Sequence, residues 1–146
     1  MSSRPVQVAA AAALAVYLLL AGIVLLATHS TVATEAIART TAWLTAHDAP
    51  AWVTYGGRVE LILNALLFAP LTFLASLALP RHPWGNWVAY AFAGSGAVEV
   101  FQAFVLEPRS AQYVDVVANT LGGLIGALVA LPVALGLRRL SREPSR

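Results

Sequence analysis

The sequence predicts an all-α, polytopic membrane protein: a four-transmembrane-helix bundle with a short extracytoplasmic amphipathic helix. The first observation is composition: 59% of the 146 residues are hydrophobic and only 11% are charged, whereas soluble domains average about 25% charged residues. The second is that the apolar residues form four long segments, and the third is that arginines lie near the segment ends. The chain length corresponds to a single domain, residues 1–146.

Four segments are long enough to cross a bilayer. Residues 6–27 and 116–137 are apolar runs without a charged residue. A helix of this length extends about 33 Å, more than the roughly 30 Å of a hydrocarbon core. Residues 60–79 and 88–106 have a similar length but carry polar side chains. The first run is longer than the core of a signal peptide and ends in a poor cleavage site, so we expect a retained helix.

The arginines predict the orientation in the cell membrane. Four spans place both termini on one side, and six of the nine arginines fall on that side. They are Arg4, Arg81, Arg138, Arg139, Arg142 and Arg146, against Arg39, Arg58 and Arg109 on the other side. The positive-inside rule therefore predicts a multi-pass protein with both termini in the cytoplasm.

Residues 28–58 are then extracytoplasmic. Apolar side chains in this segment recur at helical spacing, opposite Glu35 and Arg39. We predict an amphipathic helix over about 31–47 that lies on the outer surface and ends before Pro50. The alternative is a partly ordered loop.

Polar residues inside the spans are concentrated near the outer side. Asn64 is in the second span, Glu99 and Gln102 are in the third, and Asp115 and Asn119 begin the fourth. A charge at the centre of a membrane helix costs at least ~2.5 kcal/mol, so such residues usually face the interior of a bundle or a wet cavity. We therefore expect these side chains to converge on one site.

Glycines in the fourth span predict how that helix packs. Gly122 and Gly126 are spaced for close helix approach, and we expect them to bring the fourth helix against the third, with Asn119 near Glu99. An alternative for the amides is simple interhelical hydrogen bonding. For Asp115 the alternative is interaction with the dipole at a helix start.

Three sequence elements resemble the VanZ-like family of membrane proteins. Residues 63–71, LNALLFAPL, resemble its "N-x-L-x-F-x-P-x-G" segment, although Thr72 stands where glycine is common. Residues 99–102, EVFQ, are similar to its "E-x-x-Q" element, and 109–126, RSAQYVDVVANTLGGLIG, to its arginine followed by "D-x-x-x-N-x-x-G". The resemblance covers about residues 58–137. The departure at Thr72 bears on local helix packing.

The resemblance implies a multi-helix membrane protein linked, in the name-giving member, to teicoplanin resistance. It also implies a ligand-binding set at the matching positions: Asn64, Glu99, Gln102, Arg109, Asp115 and Asn119. Five of these six follow from the helix-face argument, and the resemblance adds Arg109.

Three functions are compatible with these residues. The first is binding: an extracytoplasmic polar site takes the headgroup of an amphiphile, such as a lipid-linked cell-wall precursor or a lipoglycopeptide. The second is an intramembrane enzyme with Glu99 as general acid or base, and the third is a small lipid transporter. The sequence has no nucleophile motif and no HExxH, which favours binding over catalysis.

Partners and cofactors follow from the same residues. The chain has no cysteine, and no ligand spacing indicates a metal site, so we expect neither a metal nor another cofactor. The expected partners are the lipid bilayer and a lipid-like or glycopeptide ligand. The sequence is also compatible with a homo-oligomer. Nothing resembles a nucleic-acid-binding patch.

Overall fold

A computed structural model describes residues 4–26, 30–55, 57–105 and 112–140, and this part of the chain contains helices and no strand. The helices are α1 (Arg4–Leu26), α2 (Ser30–Ala46), α3 (Ala51–Thr54), α4 (Arg58–Ala78), α5 (Trp84–Val105) and α6 (Tyr113–Leu140). The all-α prediction is confirmed. Each of the four predicted spans coincides with a helix, and the boundaries differ by a few residues.

Three of these helices are long and apolar enough to cross a membrane. They are Arg4–Val24, Arg58–Ala78 and Tyr113–Arg139. Large apolar side chains on them are exposed, including Leu19 of α1 and Ile125 of α6, as expected of a surface that faces lipid. The chain is therefore an integral membrane protein. The helix α5 has 22 residues, but Asn86, Glu99 and Gln102 lower its hydropathy, and it is not one of the three.

α6 packs between α4 and α5, while α1 packs mainly against α4. Each of the helices α4, α5 and α6 buries one stripe of residues, most of which are small or polar. On α4 the stripe contains Phe68, Thr72 and Ser76, at intervals of four residues. Residues four apart lie on one face of a helix. Asn64, four residues before Phe68, therefore lies on the same face of α4. Tyr17 fixes α1 to this helix by donating a hydrogen bond to the Leu67 carbonyl oxygen at 3.0 Å.

The contact between α4 and α6 depends on two glycines. A Cβ atom on Gly122 would overlap the carbonyl oxygen of Ala65, and one on Gly126 would overlap that of Ala69. The backbones of the two helices thus approach more closely than any side chain at these positions allows. Thr72, where the VanZ-like pattern commonly has glycine, is accommodated here: its hydroxyl donates to the Gly123 carbonyl oxygen at 2.8 Å.

This arrangement corrects the predicted packing of the glycine pair. Gly122 and Gly126 face α4, the second predicted span, and not α5, the third. Gly123 is the glycine that faces α5, where an added Cβ would lie 2.5 Å from the Ala91 Cβ. The spacing of two glycines predicts a close helix contact, but the partner depends on which face of α6 each neighbour occupies.

One end of the bundle, which we call the hairpin end, contains the turn between α4 and α5. Arg138, near the end of α6, donates hydrogen bonds to the carbonyl oxygens of Pro80 and His82 in this turn. Ala10 of α1 packs in one core cluster with Leu77 of α4 and Leu137 of α6. The beginning of α1, the turn and the end of α6 therefore lie together, as the sequence predicts for both termini.

The predicted amphipathic segment 31–47 is helical, as α2. Ile37 and Leu44 are half-buried, whereas Glu35 and Arg39 form an exposed salt bridge of 2.6 Å on the opposite side. α2 contacts α3 and α4. Trp43 is exposed and stacks on His47, with ring centroids 4.3 Å apart. Ile37 and Leu44 therefore mark a half-buried face of α2, and the exposed Trp43 does not belong to it.

Candidate binding site

Polar side chains from three helices gather at the end of the bundle opposite the hairpin end. We call them the polar cluster: Asn64 of α4, Ser95, Glu99 and Gln102 of α5, and Asp115 and Asn119 of α6. Ser95 is 0% exposed, and the other α5 and α6 members are no more than 7% exposed. Asn64 is half-buried. Buried polar groups are stable only when they are hydrogen-bonded, so their partners define the site.

The deepest contact joins α5 to α6. Asn119 donates a hydrogen bond from Nδ2 to the Ser95 hydroxyl oxygen at 2.7 Å. Ser95 lies between Gly94 and Gly96, and Asn119 lies one turn before Gly122 and Gly123. Of these glycines only Gly123 faces the other helix of the contact, and a Cβ on Gly94 or Gly96 would meet no atom within 4 Å. The contact therefore depends on the close approach at Gly123 and on the short side chains of Ser95 and Asn119.

One turn farther from the hairpin end, the cluster carries its two carboxylates. Glu99 follows Ser95 by four residues on α5, and Asp115 precedes Asn119 by four residues on α6. Because α5 and α6 are antiparallel and Ser95 contacts Asn119, the two carboxylates project at the same level. The backbone N–H of Gln112 donates to Glu99 Oε2 at 2.9 Å. The start of α6 therefore helps to hold the Glu99 carboxylate.

Asp115 connects α6 to α4. It accepts a hydrogen bond at Oδ1 from Asn64 Nδ2, at 2.8 Å. Asp115 is in the first turn of α6, where the helix dipole favours a negative charge. Asp115 can therefore stabilise the start of α6 in addition to its hydrogen bond with Asn64. A hydrogen bond to a charged group contributes about 1.5–3 kcal/mol in soluble proteins.

One buried atom of the cluster has no hydrogen-bond partner among the described residues. Asn119 uses its amide nitrogen for Ser95, but no residue in the described ranges donates to its buried amide oxygen Oδ1. A buried acceptor without a donor costs about 1–3 kcal/mol. Such an atom is usually satisfied by a water or a ligand that brings a donor.

Five of these positions were predicted from the sequence, and the three helices that carry them pack against one another. Asn119 is close to α5, but its contact there is Ser95, one turn from Glu99. Arg109, the sixth predicted ligand-binding residue, lies outside the described residues, and its role stays a prediction. The Gln112 backbone N–H was not predicted, because a backbone donor carries no sequence signal.

The cluster carries several oxygen atoms that accept hydrogen bonds. Within the described ranges, no group of three His, Asp, Glu or Cys side chains is arranged to hold a metal ion. The two carboxylates and the Asn119 amide oxygen are all acceptors. This arrangement can bind a group that donates several hydrogen bonds, or one that carries a positive charge.

Comparison with known proteins gives the family of the chain. The family model described as VanZ/LLP1 matches residues 11–135. No curated protein and no solved structure matches the chain. The match begins within α1 and ends within α6, so it extends beyond the segment 58–137 that carries the sequence motifs. It includes every member of the polar cluster, and we conclude that the chain belongs to the VanZ-like family of membrane proteins.

Proposed function

We propose that the polar cluster is an extracytoplasmic site that binds the headgroup of an amphiphile while the surrounding helices contact its apolar part. Candidate ligands are a lipid-linked cell-wall precursor and a lipoglycopeptide. Binding of such a ligand confers glycopeptide resistance of the teicoplanin type. The proposal rests on one observation: polar side chains from three helices are buried together at one end of an otherwise apolar bundle.

The proposed topology has four spans, α5 in addition to the three apolar helices α1, α4 and α6, and both termini in the cytoplasm. Its support is the position of the arginines and of the hairpin end. Arg81, Arg138 and Arg139 belong to the hairpin end, and positive charge is enriched on the cytoplasmic side. The polar cluster then opens to the outside, and α2 lies along the outer surface with Trp43 and Trp52 at the interface. Tryptophan is enriched at that depth.

The depth of the cluster suits a ligand that is partly embedded in the membrane. Leu66 of α4, Phe101 of α5 and Leu121 of α6 are exposed on the outer faces of the same helices at this level. An acyl chain lying against these side chains keeps its headgroup near the cluster. A water-soluble ligand has no such means of concentration at the site.

Binding is tested with purified protein in lipid nanodiscs. We expect saturable binding of teicoplanin or of a lipid-linked wall precursor, weakened at least about tenfold by Asn119→Leu, which is about 1.4 kcal/mol of binding free energy. The control is Asn86→Leu, because Asn86 is exposed in the first turn of α5 near the hairpin end. Absence of saturable binding, or equal affinities of the two variants, contradicts the proposal.

The same variants test the resistance phenotype. In a susceptible host that produces each variant at equal membrane abundance, Asn119→Leu should lower the inhibitory concentration of teicoplanin to that of the empty vector. Asn86→Leu should retain the wild-type value. Resistance that is unchanged in Asn119→Leu separates the phenotype from the polar cluster.

Glu99→Gln distinguishes binding from intramembrane catalysis. The substitution keeps an oxygen that can accept the Gln112 N–H but removes the charge and the ability to exchange a proton. If the cluster only binds a ligand, this substitution should lower the affinity for the ligand partly and not abolish binding. A general acid or base loses nearly all turnover while ligand binding is retained.

A further inference from the structure

The hairpin end combines positive charge with an exposed apolar surface. We infer that it is a binding site for an anionic phospholipid. The phosphate of the lipid contacts the guanidinium groups of Arg81 and Arg139, and an acyl chain lies along the exposed side of α6. The site is at the end of the bundle opposite the polar cluster, so this inference is independent of the proposed function.

The side-chain charge of the hairpin end is positive whatever partners the last residues of the chain find. Arg4 begins α1, Arg81 is in the turn, and Arg138 and Arg139 are in the last turn of α6. Residues 141–146 lie outside the described ranges, but they contain two arginines and one glutamate, so their side chains add positive charge on balance. None of the other six acidic residues belongs to the segments that meet at this end. The charge therefore attracts an anionic ligand.

Arg138 holds the turn against the end of α6. Its guanidinium donates hydrogen bonds to the carbonyl oxygens of Pro80 and His82, which are the two neighbours of Arg81 in the chain. The backbone of Arg81 is therefore fixed beside the last turn of α6, where Arg139 follows Arg138. This contact brings two further guanidinium groups to the same end of the bundle without any additional element.

The side chains of Arg81 and Arg139 are the ones that can reach a ligand. Both are exposed, whereas Arg138 is half-buried and is used by the turn. No carboxylate in the described ranges forms a salt bridge with Arg81 or Arg139. The single glutamate of residues 141–146 cannot neutralise both of them.

Phosphate is the anion that suits these groups at this depth. A guanidinium forms two parallel hydrogen bonds to the oxygens of a phosphate. Trp84, three residues after Arg81, is in the first turn of α5 and is exposed. Tryptophan is enriched at the interface between membrane and water, which is also the depth of phospholipid phosphates.

α6 offers an apolar surface next to Arg139. Leu135 precedes Arg139 by four residues and Leu128 precedes Leu135 by seven, so the three side chains lie near one face of the helix. Both leucines are exposed, at 42% and 45%. An acyl chain that lies against them keeps its phosphate close to Arg139. Inorganic phosphate has no such contact.

The experiment measures lipid binding to the full chain in detergent by calorimetry. The probes are dioctanoyl phosphatidylglycerol, which has a net negative charge, and dioctanoyl phosphatidylcholine, in which the choline cation offsets the phosphate. We expect phosphatidylglycerol to bind at least about tenfold more tightly than phosphatidylcholine. Inorganic phosphate should not displace the bound phosphatidylglycerol, because the free ion lacks the acyl chains.

Double variants with matched charge locate the site. Arg81→Gln combined with Arg139→Gln should reduce the ratio of the two affinities to below about three. Arg39→Gln combined with Arg58→Gln removes the same charge from α2 and from the start of α4, and it should leave the ratio unchanged. Arg81→Lys combined with Arg139→Lys keeps the charge but not the paired hydrogen bonds, so it should give an intermediate ratio. The lysine pair also provides the test if the glutamine pair does not fold.

Each other outcome contradicts the inference. Equal affinities for the two lipids overturn it, as does a preference that survives in the glutamine pair at Arg81 and Arg139. An equal loss in both glutamine pairs shows attraction by net charge alone, without a site at the hairpin end. A wild-type ratio in the lysine pair overturns the contact between guanidinium and phosphate. Displacement by inorganic phosphate makes the free ion the ligand and overturns the assignment to a lipid.

Discussion

Replacing Gly126 by alanine tests the contact between α4 and α6. The added Cβ would overlap the carbonyl oxygen of Ala69 and would lie 2.8 Å from its carbonyl carbon. Ordinary contacts begin at about 3.4 Å. The Ala69 atoms are backbone, which cannot rotate away, and the Cβ would also overlap the Thr72 hydroxyl oxygen. α4 and α6 must therefore separate locally, and the buried contacts around Thr72 are weakened with them.

The expected cost follows from overpacking. Inserting one carbon into a well-packed interface typically costs about 1–3 kcal/mol. For a chain of this size, 1 kcal/mol changes the midpoint of thermal unfolding by about 2–4 °C. We expect Gly126→Ala to lower the unfolding midpoint by about 2–12 °C. Tryptophan fluorescence of the detergent-solubilised protein can follow this transition, since the chain has four tryptophans.

Gly136→Ala is the matched control on the same helix. Gly136 is exposed, and a Cβ there meets no atom within 4 Å. Alanine is the better helix former by about 1 kcal/mol, so this variant should unfold at the wild-type temperature or above it. If Gly126→Ala is as stable as Gly136→Ala, the close approach of α4 and α6 described above is wrong.

Three further predictions concern the polar cluster and its surroundings. A double-mutant cycle of Asn64→Ala and Asp115→Ala should give a coupling energy of about 0.5–2 kcal/mol in unfolding, and a value near zero contradicts their contact. Arg109→Lys should lose most resistance at normal expression, because an ammonium cannot form the paired hydrogen bonds of a guanidinium; Arg58→Lys is the control, and equal behaviour of the two makes Arg109 an ordinary loop charge. Reporter fusions after residues 47 and 146 should report the outside and the cytoplasm respectively, and an outside signal at 146 reverses the proposed orientation.

Much of the fold could be predicted from the sequence because it depends on local pattern. Runs of apolar residues long enough for a bilayer predicted the helices α1, α4, α5 and α6. The segment 80–86, with two prolines and one glycine, has the composition of a turn, and it contains the turn between α4 and α5. Apolar residues at helical spacing predicted α2, and Ile37 and Leu44 are half-buried in it.

The candidate site could be predicted only in part. The sequence could predict Asn64, Glu99 and Asn119 because a polar residue is conspicuous in an apolar span. Each of them also has another polar residue three or four positions away on the same helix. Thr72 was noticed only as a departure from a family pattern. Thr72 follows Phe68 by four residues and Asn64 by eight, so the three residues share one face of α4. That spacing could have identified Thr72 as a buried residue that contacts α6.

The sequence by itself determined which residues form helices, which end of the bundle carries the polar side chains, and that α6 approaches a neighbour closely. These properties depend on periodicity, on hydropathy and on the small size of glycine, all of which can be read along one segment. Only the tertiary structure decided that Gly122 and Gly126 face α4 and that Gly123 and Asn119 face α5. It also decided that none of the described residues donates to the buried Asn119 amide oxygen. A helix presents several faces, and the neighbour of each face is determined by packing among all the helices at once.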